Sequence, residues 1–206
     1  MTSTDIIHWE MKNEKNKASV RWLIVLIFSP YLTYILMTGR ANEIGHEKIF
    51  NGYYIGSLTA FIVLVNLWTL WKLHQGQKGN WSIYTKYITM IADFLAIAFC
   101  LVPTGGNESV FFTINYIVIV SNSLRYGMRM AIAGVFVMNF FYVGVLAYQF
   151  YPQLYIPGAQ KEILKLAGFW LVGIYTGYLS RRFENLRGEV EKYQKLLAEA
   201  LKQNGR

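Results

Sequence analysis

The chain has 206 residues, 54% of them hydrophobic, 17% aromatic and only 16% charged, with a mean hydropathy of +0.26. That is too apolar for an ordinary soluble domain and places the sequence in the membrane class. The net charge of +8 does not point to nucleic acid, because the basic residues cluster at the ends of apolar runs, where they set topology.

Residues 1–19 carry acids and lysines ahead of the first apolar run, with no small-residue cleavage site behind it, so they are not a signal peptide. Thr4 to Met11 is expected to form a short interfacial helix, with Ile6, Ile7 and Trp9 dipping into the headgroup region. Residues 20–180 hold six predicted spans: Val20 to Met37, Tyr53 to Trp71, Tyr84 to Val102, Val110 to Ser121, Ala131 to Tyr148 and Ile163 to Leu179. Pro30 lies inside the first and is expected to kink it. The fourth is short of the ~20 residues that a span usually needs.

With the N-terminus on the cytoplasmic side, sixteen of the 20 lysines and arginines fall inside, and only Arg40, Lys48, Lys161 and Lys165 fall outside. This asymmetry predicts a multi-pass membrane protein with both termini cytoplasmic; read as a bacterial sensor, its membrane is the inner (cytoplasmic) one. Trp22, Trp68, Trp71 and Trp81 fall toward the inner interface; Tyr31, Tyr34, Tyr53, Tyr54, Tyr148 and Tyr151 fall toward the outer one. The outer loops are too short for a folded domain. Glu43, His46 and Glu47 in the first of them read as a solvated cluster or as a pH or cation sensor, without convincing ligand spacing.

After the sixth span the pattern changes. Leu179, Phe183, Leu186, Val190, Tyr193, Leu197 and Ala200 recur at alternating spacings of four and three, with charges between them. Residues 181–206 therefore read as a cytoplasmic signalling coiled coil continuous with the sixth span, which makes the protein a homodimer. A helix lying on the membrane or on its own bundle is the competing reading.

Four polar side chains lie inside the predicted spans. Asp93 sits some ~14 Å from the cytoplasmic end, Asn139 at a similar depth, and Asn66 and Asn115 a few Å nearer the cytoplasm. Either they tie helices together through hydrogen bonds, or they floor a cavity that receives a polar headgroup or a proton. Sequence alone leaves both open. No phosphate loop, nucleophile motif or paired metal-binding histidine is visible; the single cysteine, Cys100, provides no cysteine metal site, and neither a cofactor nor a metal is expected.

The fourth span ends on Ser121-Asn122-Ser123-Leu124-Arg125-Tyr126-Gly127. Asn122 is placed to cap or interrupt the helix, Arg125 and Arg129 to meet lipid phosphates, and Gly127 to permit a tight turn. The order of an acid in a span, an apolar run, a Gly-Gly turn, another span and then this element resembles the membrane sensor region of the diffusible-signal-factor receptor histidine kinases (the RpfC type), which carry a GNGFRYG-like element there. Asn122, Arg125, Tyr126 and Gly127 match; Ser121, Ser123 and Leu124 depart from it. The likeness covers about Asp93 to Tyr148. It implies a sensor of a two-component quorum-sensing system, binding a medium-chain, fatty-acid-like signal and coupled to a histidine kinase.

The combined expectation is an all-α polytopic membrane bundle of six transmembrane helices with a cytoplasmic coiled-coil exit helix. Its ligand-binding candidates are Asp93, Asn115, Asn139 and Asn66; its signalling motif is Asn122, Arg125, Tyr126 and Gly127; its seam is Phe183, Leu186, Val190, Tyr193 and Leu197. The expected partners are a fatty-acid-like amphiphile, membrane lipids, a second copy and a downstream kinase or cyclase domain. The alternatives are a ligand-independent dimerising anchor of a nucleotide or diguanylate cyclase, and a small transporter.

Overall fold

Long apolar runs with few breakers favour helix, and nearly every described residue is helical. The computed structural model describes residues 3–37, 52–151 and 158–204. They form α1 (Ser3–Met37), α2 (Gly52–Gln77), α3 (Thr85–Leu101), α4 (Ile114–Tyr126), α5 (Met128–Phe150) and α6 (Ala159–Asn204), with no strand among the described residues. Glu43, His46 and Glu47 lie outside them. By length and composition, three helices are apolar enough to cross a membrane: Gly52–Gln77, Met128–Phe150 and the Ala159–Gln194 stretch of α6.

α3 has 17 residues and α4 only 13. The shortness of α4 is offset locally. Two 3₁₀ turns, Gly106–Glu108 and Val110–Thr113, precede it, and the second runs straight into the helix. At the rises of the two helix types, that turn adds roughly 8 Å to roughly 20 Å of α-helix. At the other end Gly127 (φ +79°, ψ −171°) closes α4 and opens α5, a backbone conformation open essentially to glycine alone.

The N-terminal segment departs from expectation. It is no separate interfacial helix: α1 runs unbroken from Ser3 through Pro30 to Met37. The reason is a polar stripe that the sequence places on one face at spacings of four, three and four. Glu10, Glu14, Lys17 and Arg21 are all buried, while Lys12 and Lys15 between them are exposed. Trp9 meets the edge of Tyr126, ring centroids 6.0 Å apart, and so is held by the bundle.

The helices fall into two groups. α1 packs chiefly on α2, whereas α4, α5 and α6 pack on one another, and α3 bridges the groups through α2 on one side and α5 on the other. The larger group holds the hydrophobic core, with Phe94, Met138, Tyr142 and Phe169 fully buried. α6 lies close against α5 because Gly173 and Gly177 face it: a Cβ on Gly173 would come within 2.3 Å of Val135 Cγ2. Small residues one turn apart permit such approach between apolar helices. Past this contact α6 continues without a break to Asn204. Phe183, Leu186, Val190 and Tyr193 remain at least half exposed there, so these seam positions have no covering partner among the described residues. The Leu197 side chain lies outside the described set.

Candidate functional site

The seam between the two groups is closed at its ends and open in the middle. At one end, the Glu10 end, α1 meets α4 through polar contacts: Tyr126 donates to Glu14 Oε1, and Asn13 Nδ2 donates to the Arg125 carbonyl at 3.4 Å. At the opposite, Asn107 end, Phe28 of α1 touches Phe111 of the 3₁₀ turn, centroids 6.0 Å apart. Between these closures lies a cavity of about 240 Å³, walled by α1, α2, α3 and α4. Along α1 its lining runs from Lys17 to Ser29, roughly 18 Å at 1.5 Å per residue.

Its chemistry is polarised. Val25, Ile62, Ala96, Ile97 and Val118 are typical of the wall, whereas Lys17, Arg21, Asp93 and Arg125 gather toward the Glu10 end. Asp93 is the hub. Arg21 Nε donates to its Oδ1 at 2.7 Å and Lys17 Nζ lies 3.6 Å from Oδ2. Arg21 also donates to Thr69 Oγ1 and to the Thr89 carbonyl, both at 3.3 Å, and Lys17 donates to Thr89 Oγ1 at 3.1 Å. An isolated charge at such a depth is costly, so the acid expected alone in its span is matched by two cations from the neighbouring helix.

Toward the end of the bundle the network continues. Lys86 pairs with Glu10 at 2.5 Å, and Trp81 Nε1 donates to the other Glu10 oxygen at 3.0 Å. Lys17 lies 3.5 Å from Glu14 Oε1. Burial, and next the Glu14 carboxylate, push the Tyr126 phenol well above its ordinary value, so it keeps its proton and donates. Burial lowers the Lys17 pKa; Asp93 and Glu14 oppose that shift, and Arg21 and Arg125 add to it.

The residues expected to form one polar layer are not brought together. Asp93 alone of the four lines the cavity. Asn66 donates to the Ala18 carbonyl at 2.9 Å and so pins α2 to α1. Asn115 donates to the Phe112 carbonyl at 2.9 Å, closing the junction of 3₁₀ turn and α4. Asn139 keeps a buried oxygen without a hydrogen-bond partner and lies away from the cavity. Asn115 is not level with Asp93, because α4 begins only at Ile114 and the 3₁₀ turn carries the rest of that span; the others differ in facing, since each helix is free to point its amide in any direction around its axis.

The signalling motif is split by role. Asn122 and Arg125 line the cavity, Tyr126 binds Glu14, and Gly127 faces α6: a Cβ there would lie 3.4 Å from Glu184 Oε1. Sequence reading missed the partners on α1. Lys17 and Arg21 pass for topology signals there, yet the four-three-four spacing of Glu10, Glu14, Lys17 and Arg21 marks a charged face that solvent has no need of. A scan against protein-family models found no match, and searches of curated proteins and of solved structures found none either.

Proposed function

We propose that the chain is a six-span sensor module of a bacterial inner membrane, with both termini cytoplasmic, that binds a fatty-acid-like amphiphile and relays occupancy through α6. The observation that carries this reading is the cavity, apolar along its length and charged at one end, between two helix groups that touch each other mainly at its ends. A ligand that holds these groups at a different separation shifts their equilibrium by its difference in affinity for the two arrangements. α4 forms one wall and ends beside α6 at Gly127 and Glu184, so a displacement of that wall has a short route to the exit helix. The effector is a histidine kinase in this reading, on the resemblance of Asn122, Arg125, Tyr126 and Gly127 to the diffusible-signal-factor receptors.

The exposed Phe183, Leu186, Val190 and Tyr193 favour dimerisation through α6. The same stripe supports a second reading, a dimerising anchor that needs no ligand. Val190→Cys, placed in a Cys100→Ser background and oxidised in nanodiscs, separates the two. Crosslinking between copies whose rate changes several-fold with dodecanoate supports the sensor. Crosslinking indifferent to dodecanoate and related acids supports the anchor, and no crosslinking removes the coiled-coil relay.

A further inference from the structure

We propose that Arg125 is the headgroup site of this cavity and that the ligand is a single-chain amphiphile with an anionic head, a carboxylate. The inference rests on the reading of the cavity as a ligand site and adds the sign, the position and the size of what it holds.

The cavity-lining cations are not all paired. Lys17, Arg21, Lys86 and Arg125 are set against Glu10, Glu14 and Asp93, and the ion pairs use every one of these except Arg125. Among the described residues, the Arg125 guanidinium makes neither a hydrogen bond nor an ion pair, although its side chain is only partly exposed and lines the cavity. A guanidinium offers a planar fork of donors that matches a carboxylate. Asn122, three residues earlier on the same face of α4, gives one amide hydrogen to the Val118 carbonyl. Its second amide hydrogen is available to a carboxylate oxygen.

Size and access agree. The cavity, at about 240 Å³, lies below the roughly 300–1,000 Å³ of drug-sized sites, a size that favours a single acyl chain. Ile117, Ser121 and Arg125 also line a shallow depression on the outer side of α4. A head therefore reaches Arg125 from the side, with its tail running toward Phe111 and Ser29.

The test is saturation binding of dodecanoate and of its methyl ester to the purified full chain in detergent, for wild type, Arg125→Gln and Arg125→Lys, with dioleoyl phosphatidylglycerol as a competitor. The expected result is a preference of about tenfold or more for the acid in wild type, kept in Arg125→Lys and lost in Arg125→Gln, while the ester binds all three alike. A preference that survives Arg125→Gln overturns the assignment, as does equal binding of acid and ester to wild type. Displacement of the acid by the two-chained phospholipid overturns the single-chain claim and makes Arg125 a lipid-phosphate site. Absence of any binding, acid or ester, removes the cavity reading together with this one.

Discussion

The two ends of the bundle solve the same problem in different ways. At the Asn107 end, Glu162 accepts from Tyr142, from Asn107 Nδ2 at 3.1 Å and from Lys165 at 3.0 Å, and Gln149 and the Asn107 side chain exchange a further bond at 2.9 Å. One acid meets one base, every buried side-chain polar atom of the cluster has a partner, and none of its side chains lines the cavity. At the Glu10 end Arg125 has no ion-pair partner among the described residues, and the Glu14 and Asn122 side chains each keep an acceptor oxygen without a donor. It also opens onto an apolar space. The first arrangement is a clasp, holding the 3₁₀ turn and α5 to the root of α6. The second leaves one cavity-lining cation, Arg125, without an ion-pair partner among the described residues, and that incompleteness distinguishes a site from a clasp.

Substitutions at the two ends separate these roles. Asp93→Asn removes the shared partner of Arg21 and Lys17, and the loss of a buried charge from such a pair costs about 3 kcal/mol. Thermal unfolding in detergent reads this, and the same variant binds dodecanoate more tightly because a carboxylate near the anion has gone. Gly127→Ala forces an ordinary residue into a glycine-only backbone conformation, at about 2 kcal/mol, and alters crosslinking at position 190. Glu162→Gln weakens the clasp by about 1.5 kcal/mol and leaves the acid-over-ester preference untouched. Arg125→Gln changes stability by no more than about 0.5 kcal/mol, since nothing in the fold depends on its guanidinium, yet it loses ligand preference. Equal effects of Glu162→Gln and Arg125→Gln on ligand preference would erase the distinction between clasp and site.

Much of the helical layout was legible, because long apolar runs, the Gly105-Gly106 turn and Gly127 mark where helices begin and end. The brevity of α4 was also legible from its run of apolar residues; the 3₁₀ extension was not, since nothing in Val110–Thr113 distinguishes it from helix. Asp93 stood out as an acid in a span. Its partners did not, because Lys17 and Arg21 resemble the basic flanks that any membrane helix carries, and only the facing of α1 toward α3 tells the two cases apart. Asn66 and Asn139 do not line the cavity with Asp93, and Asn115 lies at the 3₁₀-turn end of α4 rather than beside it; counting residues along a span gives neither the facing of a side chain nor the true start of a helix that a 3₁₀ turn extends. Arg125 was singled out by a motif; that it alone of the cavity-lining cations has no ion-pair partner among the described residues is a property of the assembled network.

The most direct measurement is native mass spectrometry of the detergent-released chain after incubation with dodecanoate, wild type beside Ala96→Trp, which fills the cavity wall with an indole. One dodecanoate per wild-type chain, absent from Ala96→Trp, is the result expected of a ligand cavity. Equal retention by both chains, or by neither, would contradict it.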